Sequence, residues 1–399
     1  MPKALLLESV HPVAVEALNA AGFSVDFEKA SLKDDALAKR LAGVHLLGIR
    51  SKTQVTPAVL AAGKDLVAVG AFCIGTNQIA LDAAARSGVC VFNAPFSNTR
   101  SVAELVLAEV IMLSRQLGDR SMEMHKGSWR KLATGAREVR GKTLGVVGYG
   151  HIGSQVGVLA EFFGMRVVFF DVASKLPMGN NQSRSTLEAV LGESDFVTLH
   201  VPETAQTRGM MGSAQLAAMK SGACLLNLSR GTVVDIDALA AALKSGHVGG
   251  AAVDVYPEEP EANIHEGFKT PLQGLPNVVL TPHIGGSTLE AQEAIGREVS
   301  ASLIKYFATG GSAGSVNFPG VDLPPTPGTF RIVNVHHNVP GVLRDINKLV
   351  SEHQANIHAQ LLSTMGDVGY LVMDLDTPVT EKICDGMLKL STTIRARAL

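Results

Sequence analysis

The 399-residue sequence is poor in charge and carries no long block of either sign. Charged residues make up 18% of the chain, and the formal net charge is −2. Without a basic face the chain is not expected to bind nucleic acid, and without like-charged runs no solvated tail is expected. The partners that we expect are small molecules and further copies of the chain.

Cysteine is also scarce, and no apolar run reaches the length that crosses a membrane. The four cysteines (Cys73, Cys90, Cys224, Cys384) are scattered, with no Cys-x-x-Cys spacing and no histidine cluster nearby. Neither a disulfide framework nor a metal site is therefore expected. The opening residues MPKALLLE are typical of a first strand rather than a signal peptide. We expect a soluble, cytoplasmic protein.

Hydrophobic residues, in contrast, make up 46% of the chain, enough for two or three packed domains at this length. Short apolar runs alternate with alanine-rich helical patterns from Lys3 to Asn93, and this alternation restarts at LGVVGYG after the long helical segment TRSVAELVLAEVIMLSRQL. The order predicts two α/β units, each built on a parallel sheet.

The last third of the chain has a different pattern. ATGGSAGSVNFPGVDLPPTPG is rich in Gly, Ser and Pro, which predicts an extended linker rather than a packed element. Strand, helix, two strands, helix and strand patterns follow it. This βαββαβ order predicts a small ferredoxin-like module.

The segment GYGHIG lies between a strand pattern and a helix pattern, the context of a dinucleotide-binding turn. Gly148 permits the sharp turn, Gly150 lets the backbone approach a pyrophosphate, and Gly153 allows close packing, while the helix N-terminus supplies amide donors. The next strand ends at Asp171, whose carboxylate can bind both ribose hydroxyls and would repel a 2'-phosphate, so NAD is favoured over NADP. The alternative is a glycine turn without a ligand.

Three further strand ends carry polar side chains that suit dehydrogenase chemistry. Oxidation of a secondary alcohol needs a base, and His283 in LTPHIGGST has a suitable pKa. Glu259 can orient its ring and stabilise its positive charge. Arg230 in NLSRGTVVD can bind a carboxylate in a fork. Each of them taken alone is also compatible with a structural role.

Cofactor contacts are expected around the glycine turn and at two further strand ends. Asp254, in AAVDVYPEEP, either hydrogen-bonds the nicotinamide carboxamide or only satisfies backbone groups. His200, in HVPET, is expected to contact cofactor or backbone rather than do chemistry. The predicted cofactor-binding residues are Gly148, Gly150, His151, Ile152, Gly153, Asp171, His200 and Asp254.

Several of these segments together resemble the D-isomer-specific 2-hydroxyacid dehydrogenase family, and in particular its phosphoglycerate-oxidising members with a terminal ACT module. The resemblance covers nearly the whole chain and is carried by AFCIGTNQI, NAPFSNTRSVAELV, GYGHIG, HVPET, NLSRGTVVD, LTPHIGGST and IVNVHHNVPGVL. It implies two Rossmann-like doubly wound domains and a ferredoxin-like ACT domain. The implied limits are 1–97 with 286–327 for the substrate domain, 98–285 for the NAD domain and 328–399 for the ACT domain.

The same resemblance implies that Arg230, Glu259 and His283 are catalytic. The implied reaction is NAD-dependent oxidation of 3-phospho-D-glycerate to 3-phosphohydroxypyruvate, the first step of serine synthesis. A phosphorylated substrate needs cations and polar groups around it. The candidates are Arg50, Ser51, Lys52, Asn98, Arg100 and Lys131, although Lys52 stands where many relatives carry arginine.

The terminal module is expected to act as a switch. The resemblance implies that His336 and Asn338, with Asn356 from a facing subunit, bind L-serine between two modules and bias a hinge at the linker. A homotetramer is expected, with a dimer as the alternative, and the module could serve only to dimerise.

Two other functions compete with this interpretation. One is a reductase of hydroxypyruvate or glyoxylate, and reduction of 2-oxoglutarate is a possible side activity of the phosphoglycerate-oxidising members. The other is an NAD sensor or corepressor without turnover, which the complete set Arg230, Glu259 and His283 disfavours.

Overall fold

A computed structural model of the chain describes residues 1–260 and 264–399. These residues form two compact units. The first comprises Met1–Ser97 and Gln292–Leu399, and the second comprises Asn98–Ala291. In the described part of the chain, no helix combines the length and the apolar character that spanning a membrane requires.

The first 97 residues form a five-stranded parallel sheet flanked by short helices. Its strands are Lys3–Leu6 (β1), Ser24–Phe27 (β2), Leu46–Ile49 (β3), Ala68–Ala71 (β4) and Cys90–Phe92 (β5). The helices are Pro12–Ala20 (α1), Asp34–Arg40 (α2), Pro57–Ala62 (α3) and Leu81–Arg86 (α4). The strand order is β2-β1-β3-β4-β5. The buried strands β3 and β4 are apolar on both faces, as a parallel sheet covered on both sides requires.

The second unit is a larger parallel sheet with helices on both faces. Its strands are Thr143–Val147 (β6), Arg166–Phe170 (β7), Gln182–Ser183 (β8), Phe196–Leu199 (β9), Ala223–Asn227 (β10), Val248–Val253 (β11) and Val278–Leu280 (β12). Its helices are Thr99–Arg115 (α5), Leu117–His125 (α6), His151–Phe162 (α7), Leu187–Glu193 (α8), Ser213–Ala218 (α9) and Ile236–Lys244 (α10), with a 3₁₀ turn at Gly231–Val233. The order β12-β11-β10-β9-β6-β7-β8 reverses at β6. Ligands bind at such a reversal in doubly wound sheets.

The rest of the chain is a long helix followed by an antiparallel sheet. The helices are Leu289–Thr309 (α11), Val342–Glu352 (α12) and Thr380–Met387 (α13), and the strands are Phe330–His337 (β13), Ile357–Met365 (β14), Val368–Leu375 (β15) and Thr393–Ala398 (β16). The sheet order β14-β15-β13-β16 confirms the predicted ferredoxin-like module. Val342, Ile346 and Val350 lie four residues apart on α12 and pack on one face of this sheet.

The opposite face of the antiparallel sheet is buried within the first unit. Val333, Val335 and Tyr370 belong to the same apolar cluster as Phe92 and Tyr306. The guanidinium of Arg331, which is 6% exposed, pairs with Asp374 at 2.6 Å and donates to the carbonyl oxygens of Thr309, Leu323 and Pro324. The first unit therefore contains two sheets around a shared core.

The prediction of an extended linker is wrong for residues 310–321, whereas residues 322–328 carry no helix or strand and are mostly exposed. Phe318 and Val321 are buried in the core. The side chain of Asn317 accepts a hydrogen bond from Val91 N–H at 2.8 Å and donates to Val89 O at 2.9 Å, so it pairs with the edge strand β5. The Gly- and Pro-rich composition gave the wrong prediction because two apolar residues and one side-chain amide are enough to hold the segment against the core of the first unit.

The fold is thus two Rossmann-like doubly wound domains followed by a ferredoxin-like ACT domain, as predicted. The expected limits of the three domains, at residues 97, 285 and 327, stay a prediction. The two compact units place the antiparallel sheet with the first 97 residues.

Candidate active site

The glycine turn joins β6 to α7 at the point where the strand order reverses. Gly148 has φ +89°, and a Cβ there would lie 2.4 Å from the carbonyl oxygen of His200. A Cβ on Gly153 would lie 2.1 Å from the carbonyl oxygen of Gly148, whereas nothing lies within 4 Å of a Cβ on Gly150. The turn is therefore closely packed on the protein side and open at Gly150, where a pyrophosphate would approach the N-terminus of α7. These residues fit a bound dinucleotide.

The carboxylate of Asp171 follows β7 and holds the same turn. It accepts hydrogen bonds from Tyr149 N–H at 2.8 Å and Ala173 N–H at 2.9 Å. His151, the first residue of α7, is exposed, and Ile152 packs partly against the core. Asp171 thus links the ends of two adjacent strands at the position where a ribose is recognised in such folds.

His200 lies under the glycine turn as a neutral ring. Burial lowers its pKa to about 3, and Nε2 lies 3.0 Å from the hydroxyl of Thr198. Its backbone N–H donates to Val147 O at 2.7 Å. The ring is therefore uncharged near neutral pH and does not act as a base there, while the main chain of His200 packs against the turn.

His283 and Glu259 form a hydrogen-bonded pair, with 2.7 Å between Nδ1 and Oε2. The other carboxylate oxygen of Glu259 accepts from Tyr256 N–H at 3.1 Å. The hydrogen bond with Glu259 raises the pKa of His283 against the opposing effect of burial. Burial opposes ionisation of Glu259, but His283 and Arg230 hold its pKa below the usual value. Because Nδ1 is engaged, Nε2 is the nitrogen left to exchange a proton with a substrate.

Arg230 lies close enough to both members of this pair for its charge to lower their pKa values. It follows β10, and its backbone is fixed by the buried Asn227, whose Nδ2 donates to the carbonyl oxygen of Arg230 at 3.0 Å. One guanidinium nitrogen donates to Ser229 O at 2.7 Å. The remaining donors of the planar fork suit a carboxylate.

Asp254 organises the loop that carries His283. Its buried carboxylate accepts from the hydroxyl of Thr281 at 2.6 Å and from the N–H groups of Ile284 and Gly285, both at 2.8 Å. These contacts satisfy backbone groups of the loop, and the expected hydrogen bond of Asp254 to the nicotinamide carboxamide stays a prediction. Ser101 supports the same loop from α5 by donating to Gly285 O at 2.6 Å.

Glu109 is a buried carboxyl that sequence reasoning did not single out. It lies on the inward face of α5, 1% exposed, and neither of its oxygens has a partner among the described residues. Burial, helped by the charge of Asp254, raises its pKa to about 8. Only its position on the apolar face of a helical pattern, with Val102, Val106 and Leu113, could have indicated burial.

The residues predicted to bind the substrate are spread over both units. Arg50, Ser51 and Lys52 form the turn after β3, within the first unit. Arg100 instead pairs with Glu104 at 2.5 Å on the exposed side of α5. The remaining two candidates are Asn98, which immediately precedes α5, and Lys131, which lines a pocket with Arg115, Arg120 and Arg130.

The three residues predicted to bind an effector differ in exposure. His336 is 2% exposed, and its Nδ1 lies 2.9 Å from the side-chain oxygen of Asn334. Asn338 and Asn356 are exposed. Asn338 donates to Gly366 O at 3.1 Å, and the N–H of Asn356 donates to Asp376. In the described residues no group of three or more His, Cys, Asp or Glu side chains is arranged to hold a metal ion.

Comparison with known proteins identifies both parts of this architecture. A model of the NAD binding domain of D-isomer specific 2-hydroxyacid dehydrogenases matches residues 107–285, and a model of the AHAS small subunit-like ACT domain matches residues 332–395. The D-3-phosphoglycerate dehydrogenase of Dictyostelium discoideum is 52% identical, over 100% of this chain and 97% of the relative. That of Escherichia coli (strain K12) is 51% identical with the same coverage.

Solved structures of 2-hydroxyacid dehydrogenases also resemble this chain. The D-lactate dehydrogenase from Aquifex aeolicus, complexed with NAD and lactic acid, is 27% identical with a TM-score of 0.68, and the match covers 79% of this chain and 100% of that one. The TT0316 protein from Thermus thermophilus is 32% identical with a TM-score of 0.69, over 76% of this chain and 96% of that one.

The fold, the glycine turn and the His283–Glu259 pair define an NAD-dependent dehydrogenase. The chain belongs to the D-3-phosphoglycerate dehydrogenases, a group within the D-isomer specific 2-hydroxyacid dehydrogenase family.

Proposed function

We propose that the protein oxidises 3-phospho-D-glycerate to 3-phosphohydroxypyruvate with NAD, as the first step of L-serine biosynthesis. Relatives of that name at about half identity over the full chain support the substrate. The observation that carries the chemistry is the 2.7 Å hydrogen bond between His283 and Glu259, with Arg230 nearby.

In this proposal, Nε2 of His283 removes the hydroxyl proton while the C2–H bond breaks. Bound NAD supplies the acceptor for the hydride that leaves C2. Glu259 keeps the imidazole in the required tautomer and stabilises the imidazolium that forms. Arg230 holds the substrate carboxylate and, in the reverse direction, polarises the carbonyl group. The glycine turn with His151 and Ile152, Asp171, His200 and Asp254 are assigned to the cofactor or to its supporting loops.

The phosphate of the substrate requires cations of its own. We assign Arg50 and Lys52, together with Ser51 and Asn98, to substrate binding. Arg100 and Lys131 stay candidates, because Arg100 is already paired with Glu104 and Lys131 lies among other basic residues.

A kinetic panel tests the proposal. Purified protein is assayed by nicotinamide absorbance with 3-phospho-D-glycerate, phosphohydroxypyruvate, hydroxypyruvate, glyoxylate and 2-oxoglutarate. The phosphorylated pair should give the highest kcat/KM. A preference for hydroxypyruvate or glyoxylate would favour the simpler reductase, and tight NADH binding without turnover would favour a sensor.

His283→Asn is the decisive variant in that panel. Asparagine cannot accept the proton at neutral pH, so kcat should fall by roughly 10²- to 10⁴-fold. NADH binding, measured by fluorescence titration, should stay unchanged because the glycine turn is intact. Unaltered kcat would contradict the assignment of the base.

We further propose feedback inhibition by L-serine at the ACT domain, through His336 and Asn338 with Asn356 from a facing subunit. The ACT match and the exposed Asn338 and Asn356 support this assignment, while the buried His336 would have to be reached from the subunit contact. Serine titration of initial rates tests it. Rates that stay flat up to millimolar serine would favour a module that only dimerises.

A cytoplasmic homotetramer is the assembly that we propose. In the second unit Trp129 is 80% exposed, and Leu132, Met122 and Met124 are each more than half exposed. Apolar side chains grouped on one segment mark an interaction surface. Sedimentation analysis distinguishes a tetramer from a dimer.

A further inference from the structure

We propose that Glu8 is a positioning residue for the turn that binds the substrate, residues 50–53. The proposal rests on the proposed function in one respect, namely that this turn binds substrate. Glu8 lies more than 40 positions away in the sequence, and its side chain hydrogen-bonds the main chain of the turn.

The carboxylate of Glu8 binds two consecutive N–H groups of the turn. Oε2 accepts from Lys52 N–H at 3.0 Å, and Oε1 accepts from Thr53 N–H at 2.7 Å. An ionised acceptor with two short bonds to adjacent amides fixes both the position and the direction of the backbone. Glu8 thereby sets the path of the chain through Ser51, Lys52 and Thr53.

Burial and an unusual backbone conformation restrict the position of the Glu8 side chain. Glu8 is 7% exposed, and Thr53 is 1% exposed. Glu8 and Ser9 have φ angles of +62° and +52°, the left-handed region that residues other than glycine enter at a cost. Such strain persists only where surrounding structure enforces it, and it is concentrated at functional sites.

A second side chain holds the opposite end of the turn. Gln78 is 7% exposed, and its Nε2 donates to Arg50 O at 2.6 Å and to Gly75 O at 3.2 Å. The turn is therefore anchored through a carbonyl at its start and two N–H groups at its end. All three anchors are backbone groups of the turn.

Because the turn is held through its backbone, the cationic side chains of Arg50 and Lys52 remain available to bind the substrate phosphate. In these contacts Arg50 and Lys52 contribute only backbone groups, so their cationic side chains are not used. Both oxygens of Glu8 accept main-chain N–H groups, so they are not engaged in a salt bridge with either cation. An acidic residue in a cationic turn would weaken anion binding if it formed a salt bridge there, and this arrangement avoids that outcome.

The test compares Glu8→Gln and Glu8→Asp with Glu16→Gln, in which the altered residue lies on α1 away from the turn and serves as the control. The amide of Glu8→Gln turns a donor toward one of the two N–H groups. KM for phosphohydroxypyruvate should rise about tenfold, while kcat and KM for NADH stay within about twofold of wild type. Glu8→Asp keeps both acceptors on a shorter arm and should give an intermediate KM. Hydrogen exchange of peptides covering residues 50–54 should accelerate most in Glu8→Gln and stay unchanged in the control.

Two results would overturn the proposal. One is an unchanged KM in Glu8→Gln together with unchanged hydrogen exchange. The other is a parallel loss of kcat, NADH affinity and melting temperature in both Glu8 variants, which would show a merely structural role. If wild type prefers another 2-oxo acid, the proposed function fails separately, and the same split of KM from kcat, measured with that acid, still decides the role of Glu8.

Discussion

His283 occupies a left-handed backbone conformation, with φ +55°. A histidine enters this region at a cost, which the surrounding structure must offset. The offset is visible in the next two residues, because the N–H groups of Ile284 and Gly285 both donate to Asp254. The geometry of the proposed base is therefore maintained by two carboxylates, since Asp254 holds the backbone of the loop and Glu259 holds the ring.

Replacing Glu259, the hydrogen-bond partner of His283, should shift the pH at which kcat/KM for oxidation rises. Glu259 raises the pKa of His283, and the base is active only when it is neutral. In Glu259→Gln the pKa of His283 falls, so the rise of kcat/KM with pH should occur at lower pH, while kcat itself drops. Profiles of 3-phospho-D-glycerate oxidation check this expectation. An acid limb at the same pH in both proteins would contradict it.

Glu109 should make stability depend on pH in an unusual direction. Its pKa is raised from 4.5 to about 8, so folding favours the protonated form. This contribution is complete below pH 4.5 and is lost as pH rises through about 8. Glu109→Gln should therefore match wild type near pH 4.5 and exceed it at pH 7, by on the order of 3 kcal/mol. Urea unfolding at both pH values measures the difference, with Glu104→Gln on the exposed face of α5 as the control.

At the scale of elements, Gly150 and Gly153 in the glycine turn meet different requirements. A Cβ built on Gly153 would lie 2.1 Å from a carbonyl oxygen, whereas Gly150 faces open space. Gly153→Ala should destabilise the second unit. Gly150→Ala should fold normally, because its φ of −83° suits alanine, but it should bind NADH at least tenfold more weakly by obstructing the pyrophosphate. Melting curves and NADH titrations distinguish the two, and equal melting temperatures would contradict this division.

The elements around the cofactor and the base could be predicted because their signals are local. Strand, glycine turn and helix lie within about twenty residues, and LTPHIGGST places His283 directly after a strand. Asn317 and Glu8 could not be predicted in their observed roles, since their partners lie 226 and 44 positions away in the sequence. Composition also failed for residues 317–321, where Asn317, Phe318 and Val321 are buried.

At the scale of the whole molecule, the ACT sheet and the first Rossmann-like sheet share one core within the first unit. A switch that acts by loosening the linker is therefore less compatible with the structure than one that moves this unit as a body. The guanidinium of Arg331, which pairs with Asp374 within the sheet, fastens the linker by donating to the carbonyl oxygens of Thr309, Leu323 and Pro324.

Breaking that pair should destabilise the first unit. Arg331→Met leaves Asp374 buried without its partner and three carbonyl groups without a donor, at an expected cost of about 3–5 kcal/mol. Arg344→Met removes an exposed pair with Asp345 and should have little effect. Thermal unfolding of both variants checks the comparison. Similar melting temperatures would show that Arg331 does not fasten the linker.

The first unit is assembled from the two ends of the chain, and this has a consequence during synthesis. Phe92 and Ala68 leave the ribosome long before Tyr306, Val333 and Tyr370, which complete the same core. The intervening Asn98–Ala291 is continuous and can become compact at once. Part of one apolar face of the nascent N-terminal sheet consequently stays uncovered until α11 and the antiparallel sheet have been translated, and in this interval the chain is most prone to aggregation.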